Sequence, residues 1–181
     1  LLFLLLSSPG VLGGCLYTPD ADGHVTVPEG VEQLADEAFM FCTSLVSITL
    51  PDSLTSLGFD AFMGCTSLVN VTLPDGLTSL LNNAFNGCSS LSSVTLPDSL
   101  TSIGGGAFGG CSALVSITLP DGLASLGEQS FYGCTSLALV YVPTGCSVGL
   151  DAFYGTAAYA VEPPGWAYAV ANPDSPNPPS P

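Results

Sequence analysis

Basic side chains are absent from this 181-residue sequence, which contains no lysine, no arginine and a single histidine, His24. Fifteen aspartates and glutamates give it a formal net charge of −15 at pH 7. Nucleic-acid binding depends on basic side chains that neutralise phosphates, so we expect no nucleic-acid partner. The same absence argues against electrostatic attachment to anionic membranes. An acidic surface favours divalent cations or basic partners instead.

Motifs for catalysis and metal binding are also missing. The sequence has no CxxC, no HExxH and no paired Cys/His spacing, which argues against a standard zinc site. A nucleophile needs a base beside it, and His24 precedes the repeated part of the chain. The run Gly104–Gly106 matches no phosphate-binding signature and is interpreted as a tight corner at positive φ. We therefore predict that the protein is not an enzyme and has no cofactor.

What the sequence does have is a repeat of 23 residues. Charged residues make up only 8% of the chain and apolar residues 47%, so a packed core is expected instead of a disordered chain. Three residue types recur at this interval, with Phe153 one residue early. They are Cys42, Cys65, Cys88, Cys111 and Cys134; Pro28, Pro51, Pro74, Pro97, Pro120 and Pro143; and Phe39, Phe62, Phe85, Phe108, Phe131 and Phe153. Internal repetition at such a period predicts a solenoid.

One repeat unit reads as a strand followed by corners. In the unit that begins at Cys88, Leu91-x-x-Val94-x-Leu96 predicts a short strand, which Pro97 ends because proline has no N–H for a ladder. Asp98 then suits a turn. The remaining apolar side chains are predicted to point inward: Leu100, Ile103, Ala107, Phe108 and Cys111. No stretch has the long 3.6-residue period of a helix, so we predict six parallel strands and corners.

The pattern L-x-x-[IV]-T-L-P-D-x-L-x-x-[IL]-G-x-x-A-F-x-G-C-[ST]-x-L closely resembles the leucine-rich repeats of the BspA-like (Treponema pallidum) class. The resemblance implies a repeat solenoid of the leucine-rich-repeat type, within the α/β horseshoe class. Such a right-handed coil has one parallel β-sheet on its concave side and a mostly non-helical convex side. Family members are mostly surface or secreted proteins implicated in adhesion and protein binding. The total absence of lysine and arginine is where this sequence departs from the family.

The ends of the chain differ in composition from the repeats. Residues 1–15 begin with the apolar run Leu1–Leu6, too short for a membrane span, and are interpreted as a signal-peptide remnant or as a lipoprotein leader ending at Cys15. An upstream hydrophobic element of a longer chain is the alternative. Residues 16–24 form a lead-in, residues 25–154 the solenoid, and residues 155–181 a Pro-rich tail or a partial cap through Trp166 and Tyr168.

The outward positions of the strands form the predicted ligand face, because side chains alternate between the two sides of a strand. Its candidate residues are Ser47, Thr49, Asn70, Thr72, Ser93, Thr95, Ser116, Thr118, Leu139 and Tyr141. Tyr141 with Leu139 is the predicted anchor, since aromatic residues dominate binding hot spots. Asn70 begins an N-glycosylation sequon. The alternatives are a soluble Ser/Thr coat selected for β-propensity or, for the single threonine rank, an ice-binding ladder.

Two further rows repeat along the solenoid. Asp52, Asp75, Asp98 and Asp121 stack, so Ca²⁺ could bind between them through oxygen ligands; solvent-exposed turn residues are the favoured interpretation. The five cysteines spaced by 23 residues are interpreted as buried free thiols, because stacked Cβ vectors point the same way and an odd row leaves one residue unpaired.

The predicted function is a non-catalytic protein-binding or adhesion module that uses the strand face and is secreted or located at the cell surface. The alternatives are a structural repeat segment of a larger protein with no ligand of its own and, for location, the cytoplasm.

Overall fold

The structure is a computed structural model that describes residues 15–138 and 140–157. Within these residues the chain winds into stacked coils, and the only regular elements are short parallel strands. The strands are β1 (His24–Thr26), β2 (Gln33–Leu34), β3 (Ser47–Thr49), β4 (Ser56–Leu57), β5 (Asn70–Thr72), β6 (Ser79–Leu80), β7 (Ser93–Thr95), β8 (Ser102–Ile103), β9 (Ser125–Leu126) and β10 (Ser147–Val148). The predicted leucine-rich-repeat solenoid is confirmed.

The three-residue strands β1, β3, β5 and β7 form one sheet in that order. Partner residues lie 23 positions apart: His24 pairs with Ser47, and Asn70 pairs with Ser93. Equivalent residues of successive coils therefore stack directly on one another. We call the surface formed by β1, β3, β5, β7 and Ser116–Thr118 the strand face.

The sheet is shorter than the predicted six strands. In the part of the chain that the structure describes, residues 116–118 and 140–142 are not assigned as strands, and only an isolated bridge occurs, at Ser116. A second row of strands, absent from the prediction, runs along another side of the coils. It consists of β2 with β4, and of β6, β8, β9 and β10. In β8, for example, Ser102 is half-buried and Ile103, which was predicted to point inward, is buried.

The core is built around a ladder of phenylalanine rings. Phe39, Phe62, Phe85, Phe108 and Phe131 are fully buried, and neighbouring ring centroids are 5.1–5.4 Å apart with nearly parallel planes. Phe153 continues the ladder at 5.3 Å from Phe131, so the coil that is one residue shorter keeps the stack. The N–H of Phe85 donates to the carbonyl of Ala107 at 2.7 Å, and the other coils repeat this bond. Backbone hydrogen bonds and ring stacking therefore connect the same pairs of coils.

Four cysteines of the row are free and buried, as predicted: Cys65, Cys88, Cys111 and Cys134. Each thiol donates to the carbonyl of the phenylalanine 26 residues earlier, as Cys88 does to Phe62 at 3.1 Å. The prediction is wrong for Cys42, which forms a disulfide with Cys15. The row argument assumed that only stacked cysteines were neighbours, whereas Cys15 approaches the first coil from outside the row, with a Cα–Cα distance of 5.1 Å.

Residues 15–17 cover the open end of the first coil. The N–H of Leu16 donates to the carbonyl of Ala38 at 2.8 Å, and the ring of Tyr17 stacks on Phe39 at a centroid distance of 6.2 Å. The disulfide holds this segment in place. The N-terminal lead-in thus acts as a cap, whereas the predicted leader upstream of Cys15 and the predicted cap through Trp166 and Tyr168 lie outside the described residues.

The corner predicted at Gly104–Gly106 needs a correction. Only Gly106 has a positive φ, of 63°. Other coils place non-glycine residues at this position, among them Asn83 and Gln129, at φ 55° and 56°. Gly104 serves close packing instead, because a Cβ atom there would lie 2.7 Å from the backbone nitrogen of Asn82. Successive coils approach too closely at Gly104 for any side chain.

Candidate functional site: the strand face

Eight of the ten predicted ligand residues belong to the strand face: Ser47, Thr49, Asn70, Thr72, Ser93, Thr95, Ser116 and Thr118. Along β5 the burial alternates: Asn70 and Thr72 are exposed and Val71 is buried. The same alternation places Thr49, Thr95, Ser116 and Thr118 in solvent, while Ser47 is half-buried. The strands β3, β5 and β7 therefore present a hydroxyl or amide side chain at both ends, and their middle residue directs an apolar side chain toward the core. Whether these residues bind a ligand stays a prediction.

A groove of about 360 Å³ opens on this face between β7 and the segment Ser116–Thr118. Its rim contains Ser93 and Thr95 on one side and Ser116 and Thr118 on the other, all four of them predicted site residues. The groove lies where the ladder of regular strands ends, since β7 has β5 as its only partner strand in the described chain. The strand face is therefore not a uniform surface.

The floor of the groove is apolar. Val94 is half-buried there, whereas Val25, Ile48, Val71 and Ile117 at the equivalent position of other coils are buried. Leu96 also lines the groove, and Asp98 and Pro120 lie at one end. Beside the rim, Val115 is 56% exposed. The groove thus combines accessible apolar surface with hydroxyls, as small recognition pockets do.

His24 belongs to β1 and not to the lead-in, so the repeats begin one residue earlier than predicted. Its Nδ1 is 2.7 Å from Ser47 Oγ, and its Nε2 lies 3.2 Å from Thr26 Oγ1 and 3.3 Å from Thr49 Oγ1. Sequence reasoning missed this residue, although its separation of 23 from Ser47 was a usable signal. Asp20 accepts from the backbone N–H of His24 and not from its ring, so within residues 15–138 and 140–157 no carboxylate orients the imidazole toward Ser47.

The predicted anchor is described only in part. Tyr141 is 46% exposed, which leaves its ring available to a partner. Leu139 lies outside the described residues.

The acidic row gains no support as a metal site. Asp52, Asp75, Asp98 and Asp121 are all exposed. In residues 15–138 and 140–157 no group of three or more His, Cys, Asp or Glu side chains is placed to hold a metal ion. Backbone hydrogen bonding, chiefly from the N–H of His24, lowers the pKa of the exposed Asp20. That carboxylate caps the turn before β1.

Two of the buried thiols, Cys88 and Cys111, are held in the protonated form. The neighbouring Cys65 thiol, together with burial, raises the pKa of Cys88. The neighbouring Cys134 thiol and burial do the same to the pKa of Cys111. Burial also raises the pKa of Cys146, the half-buried cysteine of the last coil. Because the thiolate is the reactive form, these cysteines behave as core residues and not as nucleophiles.

The 23-residue register, the parallel strands and the leucine-rich core define a leucine-rich repeat protein, a class commonly used for protein interaction. Residues 23–138 match a family model described as "BspA type Leucine rich repeat region", in six copies. The chain belongs to this BspA-type leucine-rich repeat family. No curated protein matches it.

Solved structures with the same fold come from bacteria. A leucine-rich repeat protein of T. pallidum is 33% identical, with a TM-score of 0.67, and the match covers 73% of this chain and 75% of that one. A leucine-rich repeat protein of Bacteroides ovatus is 34% identical, with a TM-score of 0.69, over 74% of this chain and 35% of that one. One from Eubacterium ventriosum shares the fold at 23% identity and a TM-score of 0.60, over 83% of this chain and 46% of that one.

All three structures are of leucine-rich repeat proteins. This chain spans three quarters of the first and about a third of the second. Within the described residues the chain forms no helix with the length and apolar character of a membrane span.

Proposed function

We propose that this chain is a non-catalytic protein-binding or adhesion module that binds its partner through the strand face. The observation that carries the proposal is the groove between β7 and Ser116–Thr118, where the apolar side chains of Val94 and Leu96 are accessible between hydroxyl-bearing rims. An apolar side chain of a partner would fill the groove, and the serine and threonine hydroxyls would bond its backbone.

The charge of the chain favours a basic partner. With a net charge of −15 and no lysine or arginine, long-range attraction would raise the rate at which a basic protein associates. Val46, Val69 and Val115 are exposed beside the strands, at 38%, 38% and 56%. They extend the apolar contact beyond the groove itself.

We place the module outside the cytoplasm, as a secreted or surface protein. The Cys15–Cys42 disulfide supports this location, because such bonds persist in oxidising compartments and are rare in the cytosol.

The proposal is tested with two exposed threonines on different sides of the coil, Thr118 in the groove and Thr78 before β6. A photo-crosslinking residue is introduced at one or the other position. Each variant is then incubated with the surface proteins and the secreted proteins of the producing cells. The partner trapped from position 118 is purified and titrated against the unmodified chain, Thr118→Arg and Thr78→Arg. We expect Thr118→Arg to weaken binding by about ten-fold or more and Thr78→Arg to change it by less than roughly two-fold.

Equal crosslinking from both positions, or equal loss in both variants, would refute a strand-face site. If no protein is trapped from position 118, the alternative of a purely structural repeat segment is favoured. Tyr141→Ala, also on the predicted face, tests whether the contact extends to the last described coils.

A further inference from the structure

A second cleft lies on the corner side of the coils, away from the strand face. It has a volume of about 440 Å³ and spans three successive coils. Its middle coil contributes Gly105, Gly106, Gly109 and Gly110, and the space left by their missing side chains is partly filled by the amides of Asn83 and Asn86. The coils on either side supply the walls. The ring centroid of Phe108 in the middle coil is 5.4 Å from that of Phe85 in the preceding coil and 5.2 Å from that of Phe131 in the following coil. The space between the two walls is two coil spacings wide, which is enough for one ring of a ligand or one extended chain.

The walls of this cleft are lined with amides. Asn82, Asn83 and Asn86 form one wall, and Gln129 and Glu128 belong to the other. The amide of Asn86 already donates to the carbonyl of Gly106 at 3.1 Å, and Asn82 Oδ1 accepts from the N–H of Gly105 at 2.9 Å. These two bonds fix the amides and leave the remaining donor and acceptor capacity of each side chain directed at solvent. The wall is therefore preorganised.

Tyr132 adds an aromatic surface at the edge of the cleft. Its ring stacks on Tyr154 at a centroid distance of 5.4 Å, with an angle of 12° between planes, and is 43% exposed. The stack covers one face of the Tyr132 ring and restrains its orientation. Met40, Met63, Asn86 and Gly109 occupy the equivalent position in earlier coils, so the fold does not require an aromatic ring there.

The chemistry of the cleft selects its ligand class. An anionic ligand is disfavoured, because Glu128 lies in the wall and the chain has no basic side chain. Amides that can donate and accept, beside an oriented aromatic ring, match a ligand with many hydroxyls on one side and C–H groups on a ring face. We propose that this cleft binds a neutral saccharide, with the amide side chains bonding hydroxyls and the Tyr132 ring stacking against a pyranose face.

The site is independent of the strand face, and one glycine allows a selective test. A Cβ atom on Gly105 would meet only the Glu128 carbonyl oxygen at 3.4 Å and the Asn82 amide beyond it, and Gly105 has no positive φ. The equivalent position of an earlier coil holds Phe59, which is 46% exposed. Gly105→Phe therefore fills the cleft with a side chain that this position already accepts elsewhere in the chain.

The matched control is Gly122→Ser. Gly122 lies in the turn after Pro120, outside the cleft, and a Cβ atom there would be 3.8 Å from its nearest neighbour, the carbonyl oxygen of Asp98. The equivalent position of the preceding coil is Ser99. Both variants replace a glycine of ordinary φ by a residue that another coil carries, so they separate filling of the cleft from loss of glycine.

The full chain is applied to an array of neutral oligosaccharides (glucans, mannans, galactans and N-acetylglucosamine oligomers) beside sialylated and sulfated ones, and hits are titrated by calorimetry. We expect binding of at least one neutral class, unchanged by added salt. Gly105→Phe and Tyr132→Ala should weaken it by about ten-fold or more, and Gly122→Ser and Thr118→Arg by less than roughly two-fold.

The proposal is overturned if no neutral oligosaccharide binds at about 5 mM, if only anionic ones bind, or if Gly105→Phe binds as well as the unmodified chain. Thermal melting of Gly105→Phe confirms that the variant is folded. Because Thr118→Arg affects only the strand face, loss of protein binding and loss of saccharide binding are read separately.

Discussion

Ser130 is the one polar residue in a row of small side chains that face the core. Ala38, Ala61, Ala84 and Ala107 occupy the same position in earlier coils, and all are buried. Ser130 is fully buried as well, and its hydroxyl has no hydrogen-bond partner among the residues that the structure describes. A buried unsatisfied hydroxyl costs free energy that an alanine does not, because its bonds to water are lost on folding and are not replaced.

Ser130→Ala should therefore raise the free energy of unfolding by about 1–3 kcal/mol. Urea denaturation followed by circular dichroism measures the change. The reciprocal variant Ala107→Ser should lower stability by a similar amount. An unchanged or lower stability of Ser130→Ala would mean that the hydroxyl is satisfied in solution.

The buried thiols make stability depend on alkaline pH. The pKa of Cys88 and that of Cys111 are raised above the ordinary thiol value of 9.0, so the native state retains protons that the unfolded state releases. The contribution of these two thiols to the free energy of unfolding is fully present below pH 9. It is lost as the pH rises above 9 toward the pKa of the native state. The free energy of unfolding should then fall by about 1.4 kcal/mol per pH unit for each thiol.

Urea denaturation at pH 8, 9 and 10 measures this slope, with Cys88→Ala as the comparison. The variant lacks the raised pKa of Cys88, so its free energy of unfolding should decline less steeply above pH 9. Parallel slopes for the two proteins would contradict the assignment.

At the scale of single elements, each coil is stabilised by the coil next to it. The phenylalanine rings, the thiol-to-carbonyl bonds and the paired strands all connect residues of adjacent coils. The first coil has a neighbour on one side only, and Cys15–Tyr17 supplies the missing contacts. The disulfide attaches this cap to Cys42 and closes a loop of 27 residues in sequence.

Reducing this disulfide should destabilise the N-terminal coil by about 3–4 kcal/mol in the loop-entropy description. We expect the double variant Cys15→Ser and Cys42→Ser to melt at a lower temperature than the oxidised chain and to be insensitive to reductant. Thiol titration of the unfolded, unreduced chain should find the five free cysteines, and all seven after reduction. Seven thiols without reductant would show that the bond does not form.

Elements that recur at a fixed interval could be predicted from the sequence, because burial and stacking impose the same residue on every coil. The Phe ladder and the free thiol of Cys88 belong to this group. The disulfide, the contacts of His24 and the two clefts could not be predicted in the same way. Each of these features depends on a difference between neighbouring coils. One example is Gly106, which lies between Asn83 and Gln129 in the stack, and the effect of such a difference appears only when the coils are stacked.

At the scale of the whole molecule, the surface has charge of one sign. The fifteen acidic side chains have no lysine or arginine to pair with, so repulsion between them opposes the compact state. Salt screens this repulsion over about 10 Å at 0.1 M ionic strength.

Raising NaCl from about 10 mM to 300 mM should therefore raise the melting temperature. CaCl₂ at matched ionic strength should give the same shift, since the row Asp52, Asp75, Asp98 and Asp121 is exposed and belongs to no group of metal-binding side chains in the described residues. If CaCl₂ raises the melting temperature more than NaCl does, even at concentrations too low to change the ionic strength appreciably, the result would instead establish a calcium site.

The pairing of residues 23 positions apart also bears on how such a gene can change. Each coil contacts only its neighbours and presents the same rows to both of them. Unequal recombination that duplicates or deletes one 23-residue unit in frame would leave every row continuous. The last coil, one residue shorter, keeps Phe153 in the ladder, so even an inexact junction is absorbed in a corner. The number of coils can thus change by mutation while the fold is retained. The groove on the strand face and the cleft on the corner side can be lost, duplicated or moved apart in the same way.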